Sequence, residues 1–234
     1  MKIVSFKICP FVQRVTALLE AKGIAYDLEF ISLNDKPQWF LDVSPHGQVP
    51  VLITDSGTTL FESDAIVEYL EEAYPVLNPD ESPEQRALNR AWSQLATKNY
   101  LIQCSAQRSP DSTALMERSE KLSQAFDKIE AALGTSPYFN GETIGTVDIS
   151  WLVLLHRAHI IETHTGFDFI GERSKLKFWQ KALMASGLAE KSVTPDFETA
   201  FADFYLSDET YLGRGYDSRT AVAADQTCAT GACC

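Results

Sequence analysis

The sequence predicts an α/β unit of βαβαββα order followed by an all-helical unit, and three observations lead there. Residues 1 to about 75 alternate short apolar runs with amphipathic helical stripes. From residue 84 onward every periodic stretch has helical spacing. Between the two, Pro75, Pro79 and Pro83 stand among Asn78, Asp80 and Ser82, a composition that marks a connection. The expected division is therefore 1–76, a linker at 77–84, a helical unit at 85–206 and a tail at 207–234.

Each element has a local reason. Ile3, Val4 and Phe6 predict a buried strand. Pro10 suits the first turn of a helix, because its ring fixes φ and its missing N–H would be unpaired there anyway. Phe11, Val15 and Leu18, with Val12 and Leu19, give that helix an apolar face, and Gly23 ends it. Tyr26, Leu28 and Phe30 alternate with charged neighbours, as in a strand with one buried face. Residues 36–41 read as a short irregular helix. Val51-Leu52-Ile53 and Thr59-Leu60-Phe61 flank the turn Asp55-Ser56-Gly57 as a hairpin. Glu62 or Ser63 begins a helix carrying Ile66, Val67 and Leu70. This order is that of a thioredoxin-like unit, with Pro50 as a candidate cis proline that turns the Val49 backbone toward Cys9. In the second half, Leu88, Ala91, Trp92 and Leu95 share one helical face, and Leu122, Phe126, Ile129 and Leu133 share another. Ile149, Leu152 and Leu155 define a helix in which Asp148 can reach back to the amide of Gly145. Phe178, Trp179 and Leu183, then Phe197, Phe201 and Phe204, mark two more. Ala221 to Cys234 is a small-residue tail expected to be disordered or to carry redox chemistry, the first being favoured.

Cys9 is the residue with most chemical promise. At or next to the start of a helix, its thiolate would be favoured by free N–H groups and the helix dipole, so the thiol pKa should fall. The bland alternative is a small buried cysteine preceding a proline. Cys9 and Cys104 are far apart in sequence, and Cys228, Cys233 and Cys234 crowd the tail; this is no disulfide framework and fits a reducing compartment. Position 12 is Val12, so a C-x-x-C pair is absent and no local resolving thiol is expected. The net charge of −12, with no Lys/Arg run, disfavours nucleic acid. The sequence has neither a membrane-length apolar stretch nor the long apolar run of a signal peptide, so a cytoplasmic protein is expected. His156 and His159 share a helix face and could ligate a metal, but a structural pair is favoured and no metal is expected. Tyr100 and Arg108 are weak candidates for an acceptor pocket.

Four stretches taken together, Cys9-Pro10-Phe11-Val12-Gln13-Arg14, Lys36-Pro37-Gln38-Trp39-Phe40, Gly47-Gln48-Val49-Pro50-Val51-Leu52 and Phe61-Glu62-Ser63-Asp64-Ala65-Ile66, resemble the cytosolic glutathione transferases. The likeness is greatest to the cysteine-containing omega, lambda and dehydroascorbate reductase branches and spans about residues 1–206. It implies a thioredoxin-like domain that holds glutathione and a helical domain that shapes a hydrophobic acceptor pocket. It implies that Cys9 forms a mixed disulfide with glutathione, that Val49 pairs with its cysteinyl backbone, and that Glu62 and Ser63 hold the γ-glutamyl end. Lys36 would face the glycyl carboxylate, Phe11 and Pro50 would complete the glutathione-binding set, and the protein would be a homodimer. Read without the resemblance, Ser63 only caps its helix and Lys36 is only solvated. Gly145 departs from the family's Ser/Thr helix cap. The implied reaction is monothiol transfer, deglutathionylation or dehydroascorbate reduction. Conjugation of glutathione to an electrophile ranks second, since it needs a hydroxyl donor and Ser5 lies in the preceding strand. A catalytically silent binding module ranks third.

Overall fold

The computed structural model describes residues 1–216; the three tail cysteines and the rest of the expected tail lie outside the described residues. Four strands, β1 (Lys2–Ser5), β2 (Asp27–Phe30), β3 (Val51–Ile53) and β4 (Thr59–Phe61), form one sheet in the order β2-β1-β3-β4. β1 and β2 are parallel, with Ile3 opposite Leu28, and are joined by helix α1 (Pro10–Lys22) as a βαβ unit. β3 runs antiparallel to β1 and β4 antiparallel to β3. A short helix α2 (Gln38–Val43) bridges β2 and β3, and α3 (Ser63–Ala73) follows β4. The thioredoxin-like order read from the sequence is the order seen.

The helical unit comprises α4 (Pro83–Gln107), α5 (Ser112–Ala132), α6 (Thr146–Thr165), α7 (Ser174–Ala185), α8 (Leu188–Lys191) and α9 (Phe197–Tyr205). α4 starts at Pro83, inside the expected linker, because the Ser82 hydroxyl accepts the Gln85 amide as an N-cap and Pro83 suits the first turn.

Three expectations need correction. β2 is an edge strand with no fully buried residue, and Phe30 is 40% exposed; the chain's buried contact there is Ile31, just past the strand. The apolar stripe of α4 is not its buried face. Leu88 and Ala91 are exposed, and Trp92 and Leu95 are half-buried, whereas Asn89, Ser93, Thr97, Tyr100, Gln103 and Gln107 are buried. The reason is that α4 meets α6 through hydrogen-bonded rungs. Ser93 Oγ donates to Thr146 O at 3.2 Å, Tyr100 Oη to Ser150 O at 2.6 Å and Gln103 Nε2 to Leu154 O at 2.9 Å. Finally, residues 207–216 are not a loose tail. The Tyr211 amide donates to Ser109 O at 2.8 Å, and Leu212 is buried.

α6 is the axis of the molecule, buried from Val147 through Ala158. Asp148 in its first turn accepts three hydrogen bonds: from the amides of Phe139 (2.9 Å) and Gly145 (2.8 Å) and from Trp179 Nε1 (2.7 Å). The back-bond to the Gly145 amide is the one the sequence anticipated. Burial nevertheless pushes the Asp148 carboxyl up to about 6.

α1 is buried on two sides. Val15, Leu18 and Leu19 enter the main core with Ile3 and Leu52, while a second small core of Val4, Ile31, Phe40 and Val51 fills the other side of the sheet. The second face of α1 is polar and meets the helical unit. Gln13 Nε2 contacts His156 Nδ1 at 2.9 Å, Arg14 Nε donates to Ser150 Oγ at 3.1 Å, and Thr16 Oγ1 donates to Ser192 O at 2.6 Å.

Candidate active site

Cys9 occupies the N-cap of α1, with extended backbone geometry (φ −72°, ψ 123°) and no side chain capping the first turn. Pro10 follows as the first helical residue. Across from the thiol, the Val49–Pro50 peptide is cis, and Cys9 Sγ lies 3.9 Å from Val49 O. Residues from three separate stretches thus meet: the β1–α1 turn, the loop entering β3, and the start of α3.

Beside it lies a cleft walled by Phe11, Val49, Pro50, Glu62 and Ser63, with His46 and Gln48 on its flank; Cys9 is not in that wall but lines a smaller neighbouring space with Lys7, Val12, Gln13 and Val193. Five of the six binding residues expected from the sequence therefore line one space. Lys36 stands beside it rather than in its wall. It lies against the Gly47 turn, where a Cβ would come within 3.6 Å of Lys36 Nζ and where φ is +58°. The positive φ is what calls for glycine there, the distance to Lys36 being an ordinary contact. Glu62 is the N-cap of α3 at φ 67°, in the left-handed region. Its side chain does not cap the helix, so the first-turn amides of α3 are open to the cleft. Ser63 is the first helical residue, not the cap that the plain reading expected.

The electrostatics of Cys9 differ from expectation. The amides of Val12 and Phe11 and the charge of Arg157 pull its pKa down, but burial outweighs them and pushes the thiol up to about 11. Sequence reasoning missed Arg157. It is fully buried, donates from Nη2 to Ile8 O at 3.0 Å and from Nη1 to Gln13 Oε1 at 2.7 Å, and lies over the rings of Phe197 and Phe201. The available signal was an arginine in the middle of a long apolar helix, since such a charge is rarely buried without a purpose.

The remaining candidates separate. Tyr100 is fully buried with its hydroxyl committed to Ser150 O, so it offers no group to an acceptor. Its ring meets Phe11 edge-on at 5.2 Å and thereby supports the cleft wall from behind. Arg108 is exposed and stacks over Phe204. His156 is buried against Phe197 while His159 is exposed, so the two do not converge. Among the described residues, no cluster of three or more metal-ligating side chains is found. Ser5 is buried in β1 with its hydroxyl turned to Phe6 O.

Comparison with known proteins agrees with this geometry. Residues 8–73 match the profile of the glutathione S-transferase N-terminal domain, and residues 114–181 match that of the C-terminal domain. The chain is 31% identical over 213 residues to glutathione S-transferase omega-1 of Sus scrofa, an alignment covering 89% of this chain and 87% of that protein. It is 35% identical over 158 residues to glutathione S-transferase DHAR2 of Arabidopsis thaliana, covering 67% of this chain and 70% of that one. The crystal structure of glutathione transferase Omega 3C from Trametes versicolor superposes with a TM-score of 0.69 at 25% identity, covering 82% of this chain and 88% of that chain. With the two-part fold, the cleft and these relatives together, the chain belongs to the glutathione transferase family, in its omega and dehydroascorbate-reductase-like branch.

Proposed function

We propose that this glutathione transferase is a thiol transferase or reductase whose nucleophile is Cys9. The observation that carries the reading is the placement of Cys9 at a helix N-terminus, in contact with the carbonyl of Val49, a residue that itself lines a cleft suited to a short extended peptide. Glutathione is such a peptide, with two carboxylates and one ammonium. The Val49 backbone pairs with its middle residue. The open amides of α3 and the Ser63 hydroxyl take the γ-glutamyl carboxylate, and Glu62 takes the ammonium. Lys36, beside the Gly47 turn, faces the glycyl carboxylate, while Phe11 and Pro50 close the walls.

In the reaction the Cys9 thiolate attacks the glutathione sulfur of a mixed disulfide. The Cys9–glutathione bond forms, and the acceptor leaves as its thiolate and takes up a proton. A second glutathione thiolate then attacks, releasing Cys9 and glutathione disulfide. The same thiol reduces dehydroascorbate-type acceptors. Conjugation ranks lower because Ser5, the hydroxyl nearest in sequence, is turned away into the strand. The reading includes a cytoplasmic, homodimeric enzyme, the state usual for the family.

The test is glutathione-dependent reduction of a glutathionylated peptide and of dehydroascorbate, by wild type and by Cys9→Ser. Turnover by wild type that falls to background in the variant is expected. Equal thiol transfer by both would overturn the assignment of Cys9. Electrophile conjugation by both without disulfide reduction would put conjugation in its place, and glutathione binding without any turnover would leave a binding module.

A further inference from the structure

Cys9 follows the end of β1 and stands between two spaces. On the β3 and β4 side lies the cleft with Val49, Pro50 and Phe61 in its wall. On the β2 side lies the smaller space, which Cys9 itself lines together with Leu28 and Phe30 of β2. That space has a volume of about 20 Å³, room for one water but not for a thiol-bearing molecule.

Its floor is buried and bonded. Gln13 Nε2 donates to Ser192 Oγ at 3.3 Å, and Thr16 Oγ1 donates to Ser192 O at 2.6 Å. Its rim is a chain of contacts from β2 to the helical unit. Lys7 Nζ lies over the Phe30 ring, 5.8 Å from its centre, and pairs with Asp196 Oδ2 at 2.5 Å. Asp196 in turn accepts from Thr194 Oγ1 at 2.7 Å. Phe30, Lys7 and Thr194 all line the space. The Lys7 and Asp196 side chains are about half exposed, so this ion pair is the part of the rim that faces solvent.

Thiol–disulfide exchange is an in-line displacement, with the attacking and leaving sulfurs on opposite sides of the sulfur attacked. A glutathione held in the cleft and bonded to Cys9 leaves toward the β3 side. An attack on Cys9 Sγ has then to come from the β2 side, through the smaller space. An attack on the glutathione sulfur comes from beyond that sulfur and does not pass Lys7 or Asp196.

We propose that Lys7 and Asp196 form a strap over the back of Cys9 that decides which sulfur of the Cys9–glutathione bond is attacked. This rests on Cys9 being the nucleophile. With the strap closed, an incoming thiolate bonds to the glutathione sulfur, the Cys9–glutathione bond breaks, and Cys9 leaves as a thiolate that takes up the proton the incoming thiol gave up. With the strap open, the incoming thiolate bonds to Cys9 Sγ instead, and glutathione leaves as the thiolate that takes up the proton. The second route leaves Cys9 blocked by the wrong partner. Neither route is a net oxidation. Lys7 and Asp196 bond to no reacting atom in either route; they are positioning residues that control access.

The experiment forms the Cys9–glutathione adduct with glutathione disulfide on full-length wild type, Lys7→Met, Asp196→Asn and the charge-swapped double variant, Lys7→Asp with Asp196→Lys. Each is then mixed with mercaptoethanol and quenched with acid before half of the adduct is consumed. Mass spectrometry of the Cys9 peptide separates free Cys9, from attack on the glutathione sulfur, from Cys9 bearing mercaptoethanol, from attack on Cys9 itself. Expected is almost only free Cys9 in wild type. In each single variant the mercaptoethanol-bearing fraction rises by up to about fivefold, the range of an exposed ion pair, and in the swapped pair it returns toward wild type. Equal fractions in wild type and both single variants, or a wild type already rich in the mercaptoethanol form, overturn the strap and leave Cys9 as nucleophile. A rise in the single variants that the swapped pair does not reverse overturns the ion pair as its basis. Absence of any Cys9–glutathione adduct in all four proteins overturns the Cys9 reading itself, and the strap with it.

Discussion

At the mouth of α1, burial and positive charge pull the Cys9 thiol in opposite directions, and burial is the larger. Alkylation of the Cys9 peptide by iodoacetamide should therefore keep rising with pH, without a plateau below about pH 10, because thiolate is the reacting form. Arg157→Met removes the charge that acts with the Val12 and Phe11 amides against burial and should slow that alkylation at pH 8, whereas Arg157→Lys should retain most of the rate. An unchanged rate in Arg157→Met would show that the guanidinium does not act on this sulfur. Cys9, Val49 and Ser63 were legible in the sequence because each belongs to a short local motif whose chemistry is carried by its neighbours. Arg157 was not, because its meaning comes from a hydrogen bond to a carbonyl 149 positions away.

Among the elements, α6 shows how a missing cap is offset. Gly145 provides no side-chain acceptor, and Asp148 alone closes the first turn by reaching back to the Gly145 amide. The backbone at Gly145 is extended (φ −122°), so any residue could adopt it. What excludes a side chain is Asn78, whose Oδ1 would stand 2.7 Å from a Cβ there. Gly145→Ser alone should thus leave stability nearly unchanged, the gain of a cap offsetting the displaced Asn78. Combined with Asn78→Ala it should add about 1 kcal/mol, measured by urea unfolding. A loss in the double variant would mean that the contact is not what selects glycine. α4 illustrates the limit of periodicity. Its apolar residues do repeat at helical spacing, but the face that packs is chosen by carbonyls and amides available on α6, which the sequence of α4 does not contain. Gln107 is the extreme case: fully buried, with neither side-chain oxygen nor nitrogen partnered by protein. Gln107→Met should raise the unfolding free energy by about 1 kcal/mol, since an unpaired buried amide is replaced by an apolar group of similar size. A lower melting temperature would mean that a bound water satisfies the amide.

For the molecule as a whole, two buried groups give opposite pH dependences. Burial lowers the His156 pKa to about 3, so its contribution is complete above the ordinary histidine value of 6.5 and is lost as the pH falls toward 3. Burial raises Asp148 to about 6, so its contribution is complete below the ordinary value of 3.8 and is lost as the pH rises toward 6. Between about pH 4 and 6 the unfolded chain carries the histidine proton and the folded chain the aspartate proton, and the two slopes cancel. His156→Gln should leave a stability that falls with rising pH in that window, and Asp148→Asn one that rises, each by about 1 kcal/mol per pH unit relative to wild type. Parallel curves for all three proteins would remove both assignments. At this scale the βαβαββα order and the later run of helices were readable, since they follow from periodicity and from proline and glycine punctuation. The fold of residues 207–216 was not, because Leu212 and Tyr211 are held by Ser109 and its surroundings rather than by a pattern of their own.

The polar second face of α1 bears on how far this molecule can be taken apart. Gln13, Arg14 and Thr16 find their partners on α6 and in the turn at Ser192, so either half expressed alone would display a row of bonding groups shaped for the other. Such a seam is a lock and not a greased joint. A chimera that grafts the first 80 or so residues onto a relative's helical half would therefore mate only if positions 150, 156, 157 and 192 travelled with them. The unit of inheritance in this chain is the pair of helices α1 and α6, rather than either half.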